Sequence, residues 1–562
     1  MSEWTQKGND IYGELNNDMN GSSVEVSSDG SIIAMGSRQY GTPASGNVKV
    51  FEWNDSSGDY IQKGNNINGE ANYDNSGYSI SLSSDGLIVA ISAIFNDGNG
   101  NESGHTKVYE WNDISNDYIQ KGTDIDGEES GDQSGWSVSL SSDGSILAIG
   151  SVYNDGGGNI YNGHARIYEW NNISSDYIQK GTDIDGEESS DFSGHSVSLS
   201  SDGLMVAIGA IYNDGNGDKS GHVRIYEWSL NSWIQKGTDI DGEAIGDQSG
   251  YSVSLSNDGS FVAIGSQFND GNGVDSGHTR VYEWNNVSSD YIQRGGDIDG
   301  EESGNKSGYS ASLSGDGSIV AISSPFNNGY TKMYEWNDSS GDYIQKGINI
   351  SETYGLAVNI SSDGSTVIIG YPYNDDNGNN KGLVRVYEWP LSEVICFLKG
   401  TMIKTDKLGY VAIENLKHGT LVNGNKVVNI FSTKTKKNVV KLSKGSLVHN
   451  KPNKDLYVTE NHMIVNPRTN NLSFAKNYIN NDSISLHNSN SINEIYHVLF
   501  KKWILINANN VKCESLCPVN KNSILYLQKN KKLSEKEYSE LVKRHLSFNY
   551  SNIKHIKNNI YC

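Results

Sequence analysis

The feature that most constrains this chain is a unit that recurs seven times at spacings of 52 to 59 residues. The motif IQKGTDIDGE stands intact from Ile119, Ile178 and Ile234. With its variants, the aromatic ahead of it falls at Trp4, Tyr60, Tyr118, Tyr177, Trp233, Tyr291 and Tyr343. A period of this size belongs to an array of supersecondary units. One unit, from Gly135, reads GWSVSLSSDGSILAIGSVYNDGGGNIYNGHARIYEWNNISSDYIQKGTDIDGE. SVSLS alternates serine with aliphatic residues, the period-two pattern of a strand with one packed face. SDG predicts a tight hairpin, because Asp-Gly tolerates positive φ. SILAIG is a buried strand, NDGGGNIYNG a loop, HARIYEW a third strand and YIQKG a fourth. Seven units of four short antiparallel strands suit a seven-bladed β-propeller.

The ends of the array sharpen this. The last unit has AVNIS, STVIIG and LVRVYEW, but no fourth strand after Trp389. The first begins with an orphan fourth strand, Trp4–Gly8. A ring pairs the orphan with the incomplete blade and removes two sheet edges at once. An open solenoid would instead want polar capping repeats.

Charge divides the 562-residue chain near residue 390. Residues 391–562 hold 26 Lys+Arg and 11 Asp+Glu, a net of +15, and the rest carries −39. Such an asymmetry predicts two joined units. The acidic unit would repel phosphates, and the basic excess behind it forms no dense Lys/Arg block, so no nucleic-acid partner is expected. No apolar run is long enough to span a bilayer, and MSEWTQKGND has neither a charged n-region nor an apolar run, so no signal peptide is expected. Compartment stays open, with a secreted, cell-surface or virion-associated location favoured. The Asn, Lys and Ile bias suits an AT-rich genome such as that of a large DNA virus or a protist.

With their DIDGE, SGxSVSLSSDG and NDGNG stretches, residues 4–389 resemble the FG-GAP-type repeat. In integrin-like members calcium sits in a longer Asp-rich loop between the first two strands. Here that loop is only SDG, as at Asp143-Gly144, so the usual site is missing. The acidic clusters Asp124, Asp126 and Glu128, and Asn213-Asp214, lack the spacing of a calcium loop. Loop and turn chemistry accounts for them, and neither metal nor cofactor is expected. His105, His164, His222 and His278 each follow a glycine at the start of a third strand, which reads as blade packing. Seven of the eleven Trp, from Trp53 to Trp389, end third strands and read as blade core. The ring offers loops for a protein or glycan ligand.

The four cysteines, Cys396, Cys513, Cys517 and Cys562, all lie in the last third, too sparse for a disulfide framework. Three ordered blocks follow the ring: CFLKGTMIKTDKLGYVAIENLKHGTLVNG, PNKDLYVTENHMIV and EIYHVLFKKWILINANNVKCES. Over about residues 396–517 they resemble the Hint domain, the all-β self-processing module of hedgehog proteins and inteins. The resemblance rests on Cys396 with Gly400-Thr401, on Thr459-x-x-His462 with Asp455 ahead of it, and on Tyr496 with Asn507–Asn509.

What the resemblance implies is cleavage of the Ile395–Cys396 bond. The Cys396 thiol would attack the Ile395 carbonyl and form a thioester. His462 would protonate the leaving amide nitrogen and Thr459 would hold the amide or the histidine in place, with Asp455 and His497 in support. An ordinary thiol, with a pKa of about 8.5, needs such activation. The acceptor is water, an alcohol or an amine. Two positions depart from the family. Glu514-Ser515 stands where inteins have His-Asn, so splicing is not expected. Trp503 stands where many relatives have a histidine in the final strand.

The expected fold class is all-β: a seven-bladed β-propeller at 1–389 closed by its terminal strands, a linker at 390–395, a Hint domain at 396–517, and a Lys/Asn-rich tail at 518–562. The tail is expected to hold one helix starting at Ser534, from the pattern Tyr538, Leu541, Val542 and Leu546. The functional expectation is a self-processing protein that releases its propeller as a binding or adhesion module. The alternative is an uncleaved structural or surface interaction protein with a degenerate Hint domain.

Overall fold

The computed structural model describes residues 3–39, 45–156, 159–350 and 354–389. Beyond these it describes residues 397–398, 402–407, 409–416, 421–422, 425–435, 439–442, 456–459, 463–465, 472–474, 484–487, 493–500, 505–508 and 511–514. The chain divides into two compact units, Met1–Trp389 and Pro390–Cys562. Among the described residues no helix is long and apolar enough to cross a membrane. The tail helix expected from Ser534 lies outside the described residues.

The first unit is a propeller of seven antiparallel sheets. In the third blade, Ser137–Leu140, Ile146–Ser151, His164–Asn171 and Asp176–Gln179 pair in sequence from the channel outward. Alternation in Ser137–Leu140 turns Val138 and Leu140 inward, whereas every residue of Ile146–Ser151 is buried. The SDG hairpin is self-satisfied. Ser141 Oγ accepts from Ile146 N at 2.9 Å and donates to Asp143 Oδ1 at 2.9 Å. Gly144, at φ +68°, completes the turn, and a Cβ there would lie 2.6 Å from Ile88 of the preceding blade.

The DIDGE motif, expected as loop, contributes more than a turn. Ile125–Asp126 is a two-residue strand pairing with Thr106 and His105, and the same occurs at Ile184–Asp185, Ile240–Asp241 and Ile298–Asp299. Six of the seven sheets are therefore five-stranded. In the remaining blade the described part of this strand is one bridge, Thr331 to Ile350. The four-strand expectation failed because two residues are too few for a period to register in sequence. NDGNG does behave as turn chemistry: Asn213 Oδ1 accepts from Gly215 N at 2.8 Å and Asp214 Oδ1 from Lys219 N at 2.8 Å.

Blades are held together mainly by apolar burial. Ile32, Ala34 and Val50 of one blade share a cluster with Leu82, Val89 and Ile91 of the next, and burial of this kind is worth roughly 25 cal/mol per Å². A parallel bridge such as Gly163 to Ser193 adds a backbone link between blades. Gly163 sits at φ +68°, and a Cβ would meet the Ser193 carbonyl at 2.2 Å, so only glycine fits. The ring closes as the orphan strand requires. Thr5 and Gln6 pair with Glu388 and Tyr387, and Ile11 and Tyr12 with Val384 and Leu383.

Candidate functional site

In the second unit the described strands form two sheets. One has seven strands in the order Leu421–Val422, Asn425–Thr435, Asn493–Phe500, Phe397–Leu398, Leu456–Thr459, Val439–Leu442 and Ile484–His487. The other has six: Gly409–Ala412, Met402–Thr405, Leu505–Ala508, Val511–Glu514, Met463–Val465 and Leu472–Phe474. Phe397–Leu398 is the central piece. Phe397 is the register partner of Val458 on one side and of Tyr496 on the other. The next residues along those two strands are Thr459 and His497, both in strand. All three blocks singled out in the sequence thus meet within the seven-stranded sheet. Cys396, Ile395, Asp455, His462 and Trp503 lie outside the described residues. Glu514 ends the strand Val511–Glu514 and pairs with Leu505, and Cys513 pairs with Ile506 and Ile464.

The propeller presents a second candidate region, its central channel of about 340 Å³. The residue after each inner-strand glycine forms a crown at five successive blades: Tyr78, Trp136, His195, Tyr251 and Tyr309. Neighbouring rings touch at centroid distances of 5.2, 5.8, 4.7 and 5.0 Å. The rest of the lining is about half serine, as in Ser79, Ser137 and Ser252, interleaved with aliphatic residues such as Val138 and Val253, and it includes the carboxylate of Glu25. Asn359 Nδ2 donates to Glu25 Oε1 at 3.2 Å. Burial raises the Glu25 carboxyl to about 8 and pulls the His195 imidazole down to about 4. Sequence reasoning did not single out this crown. Its signal was available, since the variable position of SGxSVSLS is aromatic in five of the repeats.

The repeated histidines sit where the sequence placed them, at the start of third strands and buried. Each is joined by an acid from the preceding blade and one from its own: Glu70, His105 and Asp124; Glu128, His164 and Asp183; Glu187, His222 and Asp239; Glu243, His278 and Asp297. Burial first, and Arg166 or Arg224 second, pull His164 and His222 to about 4, so both imidazoles are neutral at physiological pH. The tryptophans, expected as blade core, are half-buried and pack against the core clusters of the blades, as Trp111, Trp170 and Trp284 do. There Trp170 packs edge-on against Tyr177 at 5.2 Å, with Lys121 over its face.

Residues 395–520 match the family model of the Hint domain, and residues 178–226 match that of the FG-GAP repeat. No curated protein matches the chain. Among solved structures, a "putative 6-phosphogluconolactonase" from Bacteroides uniformis is similar at 11% identity and a TM-score of 0.44, covering 60% of this chain and 88% of that one. That likeness is too loose to carry an argument. An FG-GAP repeat within a seven-bladed β-propeller, followed by a Hint domain, is the make-up of this chain.

Proposed function

We propose that the C-terminal unit cuts the chain ahead of Cys396 and frees the propeller as a binding module. The observation that carries this reading is the register of Phe397. The residue after the nucleophile is paired with the residue before Thr459, within a region that matches the Hint domain. That register sets Phe397, the residue bonded to Cys396 along the chain, against the strand that ends in Thr459. An intramolecular attack gains most from such orientation.

In the proposed reaction Cys396 Sγ bonds to the Ile395 carbonyl carbon and gives up its proton. The carbon–nitrogen bond then breaks, and His462 delivers a proton to the departing nitrogen, which becomes the amino group of Cys396. Thr459 positions the amide. Water, an alcohol or an amine then attacks the thioester and restores the thiol. Glu514-Ser515 provides no asparagine to cyclise, so the reaction stops at one cut. The aromatic crown of the channel supports a binding role for the released ring, because aromatic faces beside hydroxyls suit a sugar or a side chain better than a charged ligand.

Intact-mass measurement and denaturing gels of wild type and Cys396→Ala test the proposal. Fragments of about 395 and 167 residues, counted from the sequence, should come from wild type alone and faster with hydroxylamine, which consumes thioesters. A single intact wild-type mass under hydroxylamine would sink it and favour the uncleaved interaction protein. Trp503, where many relatives have a histidine, favours that second reading.

A further inference from the structure

Two of the four glutamate–histidine–aspartate clusters between blades differ from the other two. At the outer pair a basic side chain fills the cleft. Lys107 contacts Glu70 and lies 3.2 Å from Asp124, while Arg280 contacts Glu243 and donates to Asp297 at 2.9 Å. At the middle pair the arginine turns aside. Arg166 Nη2 donates to the Asp126 carbonyl at 2.8 Å and Arg224 Nη2 to the Asp185 carbonyl at 2.6 Å. Their other terminal nitrogens stay 3.7 Å from Glu128 and 3.5 Å from Glu187. Each middle cleft thus holds at least two carboxylates against one guanidinium that is only loosely engaged.

The histidines in these clefts supply an independent observation. The side chains of His164 and His222 are 1% exposed, and neither ring nitrogen of either has a hydrogen-bond partner. Burying a donor and an acceptor unpaired is costly and rare in native proteins. Both rings aim Nδ1 into the cluster: His164 at Glu128 Oε2, 3.8 Å away, and His222 at Asp239 Oδ2 and Asp241 Oδ1, each 4.0 Å away. These separations are too long for hydrogen bonds. Donors sharing a tetrahedral ion at about 2.0–2.2 Å stand roughly 3.3–3.6 Å apart, so each pair would close by about half an ångström to hold one. The three ligand atoms of each cluster lie within 4.8 Å of one another.

We propose that the two clefts each bind a divalent transition-metal ion, zinc being the best match, through Glu128, His164 and Asp183 and through Glu187, His222 and Asp239. A neutral imidazole with carboxylates selects zinc over calcium, which takes oxygen ligands. Asp241 offers a fourth ligand at the second site, and water completes the first. Because each glutamate comes from the preceding blade, the ion cross-links blades two to three and three to four. It stabilises the folded ring by mass action.

The test uses the full chain, stripped with a chelator and with its cysteines alkylated so that thiolates of the C-terminal unit cannot bind. Zinc and cobalt(II) are titrated separately, with stoichiometry by equilibrium dialysis and the cobalt ligand-field band read in the visible. Wild type should bind two equivalents and melt at a higher temperature with zinc. His164→Ala and His222→Ala should each remove one equivalent, and His105→Ala should remove none. Glu128→Gln and Glu187→Gln change partly exposed groups without opening a core cavity. They should repeat the loss while the circular dichroism of the ring stays unchanged. Wild type that binds no zinc, binding that survives both histidine substitutions, or uptake of calcium in preference to zinc would each overturn the proposal.

Discussion

Blade four and blade seven are closed by the same side chains but by different parts of the chain. In blade four Trp233 packs against Trp228 at 5.2 Å and donates Nε1 to the Lys180 carbonyl at 2.8 Å. In blade seven Trp4 packs against Trp389 at 5.3 Å and donates Nε1 to the Lys346 carbonyl at 3.0 Å. The strand holding Trp233 is tied to its partner by a tight hairpin, whereas Trp4 and Lys346 are 342 residues apart. Equal contacts therefore do not make equal seams. Loop-closure entropy grows only slowly with length, yet the terminal strand has no covalent tether on its own side. If released, it leaves a sheet edge open.

Removing residues 1–12 should have the largest effect. It strips both terminal strands from Leu383–Glu388, and we expect a loss exceeding about 5 kcal/mol, since a large core side chain alone is worth 3–5. Thermal melting, with gel filtration to detect pairing of the bared edge, would check it. An unshifted melt would show that the ring does not depend on this seam. Trp4→Ala should cost about 3–5 kcal/mol and Trp233→Ala roughly 2–3, because Trp4 is fully buried and Trp233 is half-buried beside its hairpin. Equal losses in urea titrations would mean that neither the tether nor the deeper burial of Trp4 sets the two seams apart.

The terminal seam also differs in its charges. Asp10 accepts from Arg385 Nε at 2.8 Å and Nη2 at 2.9 Å, and the matching pair inside blade five is Asp297 with Arg280. The Arg385 hydrogen bond, together with Gln6 and Tyr12, holds the Asp10 carboxyl at about 2. A depressed carboxyl stabilises above its unfolded pKa of about 3.9, and that contribution is lost as pH falls toward 2. Asp10→Asn should therefore cost about 1–2 kcal/mol at pH 7 and nothing near pH 2. A pH-independent difference would refute the charge contribution.

Glu25 should show the smallest effect and the opposite sign. Its carboxyl is raised to about 8 by burial, so the folded ring holds a proton that the unfolded chain releases near pH 4.3. Stability from this group is present below that value and falls as pH rises to about 8. Glu25→Gln should match wild type at pH 4 and exceed it by roughly 1 kcal/mol at pH 9, after allowance for water in the channel. Equal stability of the two at pH 9 would count against it.

Part of this architecture could be read along the chain and part could not. Blade number and ring closure were legible because a period of 52 to 59 residues and an orphan Trp4–Gly8 are one-dimensional signals. The fifth strand was not, because Ile125–Asp126 is two residues long and exists only by pairing with His105 and Thr106. In the second unit the order of the three blocks was legible. That Phe397 lies between Val458 and Tyr496 was not, since about 60 and 100 residues separate them in sequence and pairing register carries no local signature.

The sequence by itself determined the repeat, the strand alternation, the Asp-Gly turns and the division of charge near residue 390. Each depends on residues close together in the chain. Only the tertiary structure decided which side chains meet between blades. Glu128 and His164 stand 36 positions apart, and Arg166 and Lys107 occupy the same repeat position with different outcomes. Lys107 fills its cleft as a compact charge. Arg166 reaches past its cleft to a backbone carbonyl of the preceding blade, and its histidine is left without a partner. That choice rests on distances across a folded interface, which no reading along the chain contains.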